Sequence, residues 1–416
     1  MWLLLLLPEV LLLVVLCIGV VVFAEKQSWA ASKLLDEKVL VTIQEVPRSK
    51  LGTTWLVVYS YLTVLLLEIP RRMLARVFLR DSEILSAWVD GRRRMTVSVE
   101  NVRMGEDMDI RSYREIADNG SDGDLSGALS DTASQLLGSY ALLLGQLQLT
   151  AMANAEFPLA AFGSLHVSNE MRMEVSASEF GEISLSDNVA VRATVEKLRY
   201  HKKGTLFDVY GEILLNDRLL WSCRTVALSP TRLPVTLFPE TEGEKGQSDT
   251  REVVSGIERA LGESESEENE REGEIFGGQT ASDARQEFTL QLPLDIGKRY
   301  ALLCQDYNPI HLHPLTAKLM GFPSCIAHGM CVFAQALSVC EKEVADNNSV
   351  ALSFPSSAQC RVHFIRPVIL PTAVVVKYRI FDGPRHDSGN SGTSFAITAK
   401  SPKGTLFLAA TVQYTE

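Results

Sequence analysis

Stretches of about ten residues in which apolar and polar positions alternate recur along most of this chain. Met95–Met104 (MTVSVENVRM), His166–Val175, Val189–Leu198, Thr205–Leu215 and Arg218–Leu228 have the period of two expected of half-buried strands, and Asn216-Asp217 suits a hairpin turn between the last two. Between the first and second of these, 118–131 is rich in Gly, Ser and Asp and reads as a loop. Thr132–Met152 is then apolar at too many positions for a surface helix, so a helix enclosed by other structure is expected there. After a polar stretch the order returns, with a strand at Glu287–Pro293, a helix from His328, and strands at Ala358–Ile365, Ala373–Ile380, Gly392–Ala399 and Gly404–Tyr414. Gly204-Thr205-Leu206-Phe207 is echoed by Gly392-Thr393-Ser394-Phe395, each opening a long strand pair. The pattern predicts an α+β protein with two units, 94–238 and 286–416, each an antiparallel sheet wrapped around one helix.

Two apolar runs precede these units. Residues 1–24 contain a single charge, Glu9; as a helix they would rise roughly 36 Å, enough to cross a hydrocarbon core of about 30 Å. Val22-Phe23-Ala24 also has the look of a signal-peptide cleavage site, but no basic segment precedes the run, and its length favours an uncleaved transmembrane anchor. Residues 51–69 form a second apolar segment, read as either a second span or an interfacial helix. Arg71, Arg72, Arg76 and Arg80 follow it and favour the cytoplasmic face, so a transmembrane hairpin would leave the soluble part in the cytoplasm. The chain ends in Tyr-Thr-Glu, without a peroxisomal or lumenal-retention signal, and has no Arg-rich, acid-poor transit peptide. An endomembrane location such as the endoplasmic reticulum is expected by elimination, with a mitochondrial one as the alternative.

Charge sharpens the division. The 416 residues carry 40 Lys+Arg against 51 Asp+Glu, a formal −11. From Glu240 to Glu287 there are 15 acidic and 5 basic residues, a local −10, which leaves −1 for the rest. The stretch 239–285 therefore reads as an acidic disordered linker, in which Ser264 and Ser266, flanked by acids, are candidate phosphorylation sites. No basic block suited to a phosphate backbone appears, so nucleic acid is not an expected partner. The seven cysteines form no C-x-x-C pair and no framework spacing, which argues for a reducing compartment and against a zinc ribbon.

The candidate chemistry lies in Tyr300–Met330, YALLCQDYNPIHLHPLTAKLMGFPSCIAHGM. Asp306-x-Asn308-Pro309-x-His311 sets a carboxylate and an imidazole across a turn, and such a pair can hold one water between them. His328-Gly329-Met330 opens the next helix, where unpaired amides can receive negative charge developing on a carbonyl oxygen. These parts suit addition or elimination of water beside a thioester carbonyl. His311, His313, His328 and Cys325 can alternatively be read as metal ligands, while His166, His201, His363, Cys331 and Cys340 read as structural or surface residues.

D-Y-N-P-I-H, A-K-L-M-G-F and I-A-H-G-M, with G-K-R-Y-A-L before them and V-H-F-I-R-P-V-I-L-P after, resemble the MaoC-like family of R-specific enoyl thioester hydratases and 3-hydroxyacyl thioester dehydratases. The longer match resembles the double hot-dog members, whose first unit lacks the motif, as 94–238 does here. Gln305 stands where the family commonly has glycine or another small residue. The resemblance implies a tandem hot-dog fold, no cofactor and no metal. It also implies Asp306 and His311 as the acid/base pair, Gly329 as the amide that polarises the carbonyl, and Asn308, His328 and Met330 as substrate-side residues. The implied reaction is reversible hydration of trans-2-enoyl thioesters of coenzyme A or acyl carrier protein in fatty acid metabolism, by a homodimer or a pseudo-dimer within one chain. A non-catalytic acyl-thioester-binding scaffold at a membrane, or a hot-dog thioesterase, are the alternatives. The first unit is expected to house the acyl tail along Leu142–Leu149.

Overall fold

The computed structural model describes residues 30–35, 38–43, 83–103, 157–159, 163–176, 188–238, 242–261, 280–281, 286–304, 306, 308–346, 357–384 and 391–415, together with 116–117, 144, 145, 147, 148 and 150–152. Both apolar N-terminal segments and the acid-rich centre of the expected linker lie outside these. Among the described residues no helix is long and apolar enough to cross a membrane.

Thirteen strands form one sheet. Its first five long strands are β3 (Arg94–Arg103), β4 (Leu165–Met173), β5 (Asn188–His201), β6 (Gly204–Leu215) and β7 (Arg218–Ser229), which lie side by side as β3-β5-β6-β7-β4. The second set is β9 (Gln286–Leu292), β10 (Ser357–Phe364), β11 (Thr372–Pro384), β12 (Ser391–Lys400) and β13 (Leu406–Thr415), arranged as β9-β11-β12-β13-β10. The order is the same in both sets when each is read in chain order. They meet where β4 pairs antiparallel with β10, Arg172 opposite Gln359 through Ser168 opposite His363. Two short strands absent from the sequence reading, β1 (Ala30–Leu35) and β2 (Lys38–Ile43), extend the outer edge, β2 running parallel to β3. At the other edge β8 (Thr280–Ala281) pairs with β11.

Local sequence explains the strands. Along β5, Val189, Val191, Ala193 and Val195 are buried while the residues between them are not. Asn216 and Asp217 take φ of 51° and 64°, the doubly left-handed turn whose twist matches a two-residue hairpin. Each set of strands curves over a helix. In the first, residues 144, 145, 147, 148 and 150–152 are helical, with Leu144, Leu147 and Ala151 buried. In the second, a helix at Gly329–Asp346 has every residue from Met330 to Ser338 buried, as a helix enclosed on all sides must. The second helix also touches the first unit: Gln335 Nε2 donates to the Ile116 carbonyl at 2.9 Å.

The expectation of a disordered linker over 239–285 is corrected in part, because α2 (Glu242–Ala260) is a helix; α1 (Glu83–Val89), which carries the fully buried Trp88, precedes β3. Averaged over its length the segment is acidic, yet Val253, Val254, Ile257, Ala260 and Leu261 recur at three- and four-residue intervals and form one stripe. That stripe packs on Phe381, Ala396 and Ala409 of the second strand set. Arg379 Nη1 donates to the Ala260 carbonyl at 3.0 Å, placing a cation where the helix dipole is negative, and Lys400 pairs with Glu258 at 3.0 Å.

At the junction of the two sets, His363 on β10 is 7% exposed and neither ring nitrogen has a hydrogen-bond partner. Burial, with the Arg361 charge adding to it, lowers its pKa from 6.5 to about 4. Between those pH values the unfolded chain binds a proton at His363 that the folded chain does not, so stability is fully present above 6.5 and falls as the pH drops toward 4, by roughly 3 kcal/mol for this residue. Urea midpoints at pH 7 and pH 4.5 are expected to show this loss, and His363→Leu to make it smaller; an unchanged pH dependence in the variant would refute the assignment.

Candidate active site

Between β9 and β10 the chain forms α3 (Ile296–Cys304), α4 (Pro309–Leu312), α5 (Pro314–Leu319) and then the enclosed helix, α6 (Gly329–Asp346). Two prolines explain the short middle pieces. Asn308 and His313 each precede one and are held extended, with ψ of 124° and 139°, while Pro309 and Pro314 each start a helix. His313 serves only as a cap: it is exposed, and its ring accepts from the Leu315 amide at 3.1 Å. The metal-ligand reading of that residue is therefore corrected.

The same turn points Asp306 and His311 inward. Asp306 Oδ1 accepts from the Asn308 amide at 3.2 Å, and the Asn308 side chain donates to the Ser164 carbonyl of the first unit at 3.2 Å. His311, 7% exposed, places Nδ1 2.8 Å from the Ile326 carbonyl. A carbonyl can only accept, so Nδ1 carries the proton and Nε2 offers a lone pair. His328 stacks on His311, ring centroids 3.6 Å apart and planes 24° apart. Its Nε2 lies 3.3 Å from the Asp306 carbonyl and 3.7 Å from Asp306 Oδ2.

Burial tunes all three groups. It pushes the His328 pKa down to about 3, with His311 adding to the effect, and it lowers His311 against the opposing pull of the Asp306 charge. For Asp306 burial alone would raise the pKa, but His328, His311 and the Asn308 amide outweigh it and hold the carboxyl below its usual 3.8. Near neutral pH the site therefore contains one carboxylate and neutral imidazoles. Donor atoms of Asp306, His311 and His328 lie within 4.8 Å of one another, enough to suggest a cation. His328 Nε2 nevertheless faces the Asp306 carbonyl and carboxylate, both acceptors, where it serves as an N–H donor rather than as a metal ligand.

These residues open onto a cavity of about 340 Å³. All six site residues expected from the sequence, Asp306, Asn308, His311, His328, Gly329 and Met330, line it. Gly329 begins α6 at the cavity end; the Cys331 and Val332 amides return to the His328 carbonyl, so within the helix it is the Gly329 and Met330 amides that lack acceptors. A Cβ at Gly329 would lie 2.5 Å from the Phe364 ring, which explains why glycine stands there. The opposite wall comes from the first unit: Leu144, Gly145, Gln148 and Met152, together with Ser164, His166 and His201. His166 and His201 are thus cavity residues, which corrects their reading as structural or surface positions. Cys325, Cys331 and Cys340 are buried as expected, as is His363, and none of the four lines the cavity. Sequence reasoning did not single out Tyr300, 5.1 Å from the His328 ring, or Phe364.

An antiparallel sheet wrapped around an enclosed helix, with titratable groups at that helix's N-terminus, is the hot-dog fold. The chain aligns with a solved structure described as a MaoC-like dehydratase at a TM-score of 0.51 and 15% identity, over 79% of this chain and 99% of that one. Residues 279–398 match the family profile described as MaoC like domain, so the second unit carries a MaoC-like domain. The chain is 27% identical over 216 residues to 3-hydroxyacyl-thioester dehydratase X of Mycobacterium tuberculosis, covering 52% of this chain and 59% of that protein. It thus spans under two thirds of that relative's length. The crystal structure of HtdX from Mycobacterium tuberculosis aligns at 22% identity and a TM-score of 0.47, over 76% of this chain and 98% of that one.

Gly329→Ala is expected to destabilise the protein by about 1–3 kcal/mol, because the added methyl would lie 2.5 Å from the Phe364 ring, which must shift to admit it. Denaturant midpoints of Gly329→Ala, Phe364→Leu and the double variant would check this, the second change recovering part of the loss. A neutral Gly329→Ala would show that the ring gives way.

Proposed function

We propose that this protein reversibly hydrates trans-2-enoyl thioesters to (R)-3-hydroxyacyl thioesters, with Asp306 and His311 as the acid/base pair. The observation that carries the reading is the meeting, in one cavity, of an ionised Asp306, the free Nε2 of His311 and the amide end of α6 at Gly329. A water between Asp306 and His311 has acceptors for both protons. Its oxygen bonds to C3 as one of its protons leaves to the pair, and the pair then delivers that proton to C2 on the same face. In between, charge gathers on the thioester oxygen, which the Gly329 amide and the helix dipole stabilise. Asn308 keeps the loop in place through Ser164.

In this reading the two strand sets are tandem hot-dog units forming a pseudo-dimer, and only the second is catalytic. The first lends the apolar wall of Leu144 and Met152 to the acyl tail. Lys203 from the first unit and Arg366 from the second are exposed members of the cavity lining, one from each side, and supply positive charge for the phosphates of coenzyme A. The segments 1–24 and 51–69 would hold the enzyme on a membrane with its soluble part facing the cytoplasm.

Crotonyl-CoA and a longer enoyl-CoA are the test substrates, followed by loss of enoyl absorbance and by release of free thiol. Asp306→Asn and His311→Ala are each expected to lower kcat/KM about 10²- to 10⁴-fold. Unchanged hydration in both variants would sink the assignment, and thiol release would make the protein a thioesterase. Because burial lowers the His311 pKa from 6.5, kcat/KM should hold level from pH 8 to 6.5, its acid limb lying below 6.5. Arg366→Glu should raise KM for crotonyl-CoA about tenfold while leaving kcat unchanged, a loss of binding felt equally in ground and transition states.

A further inference from the structure

The wall facing Asp306 contains a polar group that the reaction as described does not use. Ser164, whose carbonyl holds Asn308 at 3.2 Å, directly precedes β4, so the start of this strand is tied to the catalytic loop. Between His166 and Ser168 the pairing of β4 with β7 shifts register. Such a bulge turns a side chain away from its place in the pleat. The His166 ring lies 6.3 Å from the Phe364 ring, which itself covers Gly329, and it lines the cavity with Asp306 and His311. Its ring is open to the cavity while the surrounding walls enclose it, and no hydrogen bond to it forms among the described residues. Burial lowers its pKa, with the Asp306 charge opposing, so near neutral pH it is a neutral imidazole with one donor and one acceptor to spare.

Complementarity shows what is missing at the site. Asp306 and His311 Nε2 both accept, and together they take the two protons of a water. Its oxygen then directs one lone pair at C3 and leaves the other without a donor. We propose that His166, from the unit lacking the motif, donates its ring N–H to this oxygen, orienting the attacking water and, in reverse, the departing 3-hydroxyl. The assignment rests on the hydratase reading above and adds a substrate-contacting residue to it.

The test uses the full chain, with His166→Phe to keep bulk and remove the donor and His166→Gln to keep an N–H. Hydration of crotonyl-CoA and dehydration of 3-hydroxybutyryl-CoA should both lose about 10²-fold in kcat in His166→Phe. Most of this should return in His166→Gln. Binding of butyryl-CoA, which has no oxygen on C3, should be the same in all three proteins. Unchanged kcat in His166→Phe would overturn the inference. Equal weakening of butyryl-CoA, or a loss that Gln does not restore, would do the same by reducing His166 to a structural part of the wall. A wild-type chain unable to hydrate crotonyl-CoA would instead refute the hydratase reading itself, so the two failures are told apart.

Discussion

The pairing of β4 with β10 is the contact on which the rest of this structure depends. Either strand alone would end its set with a row of unpaired backbone groups, an edge open to any other chain. Joined, they make one sheet and bring the first unit's wall over the second unit's helix. Their register is held from both faces: Glu170 takes Arg361 at 3.0 Å and Gln359 at 3.1 Å on one side, while Asn169 and Val362 are buried on the other. A slip of one residue in β4 would exchange its faces, exposing Asn169 and burying Glu170. It would also shift Ser164, and with it the carbonyl that anchors Asn308. The position of the loop that holds Asp306 is therefore set in part by a strand pair that joins its own unit to the other.

Burial then decides the protonation states. His311 and His328 face each other at stacking distance, so if both were charged they would repel in a region with little water to screen them. Keeping both neutral removes that conflict and leaves Asp306 as the one ion, stabilised by an amide and by imidazole dipoles. Whole-chain acidity plays no part in this. Of the formal −11, −10 belongs to the stretch between the units, and the exposed charges of the cavity lining, Lys203 and Arg366, are basic.

What was legible in the sequence was whatever is encoded locally. The period-two stretches became strands within a residue or two of their expected ends, apart from the longer β5 and β11, and the Gly204 and Gly392 echoes fall on β6 and β12, the matching strands of the two sets. Asp306, Asn308 and His311 lie within one proline-punctuated turn, so their convergence could be inferred from spacing. His166 could not be found that way, because it reaches the cavity only through strand pairing between the units and a bulge that spacing does not reveal. The helix α2 was hidden for a different reason: its apolar stripe is narrow, and average composition over an acidic stretch conceals a narrow stripe.

The difference between the two halves follows from the same geometry. Two identical units meeting at their edge strands would present the same wall and the same loop to each other, so every residue would have to serve both as wall and as catalyst. Once the halves belong to one chain they can diverge. Here the second unit carries Asp306, His311 and Gly329, while the first, freed from that chemistry, places Leu144, Met152 and His166 opposite them. Loss of a motif from one unit is then a gain in shape, because a cavity of about 340 Å³ needs apolar surface as well as an acid and a base. The helical segment at Leu144 can also press closely on its neighbour: a Cβ at Gly145 would lie 2.1 Å from the Cys304 carbonyl, so the first unit's helix is packed directly against the residues that lead into the catalytic loop. A change in that helix would therefore be felt through direct contact at Cys304, two residues before Asp306.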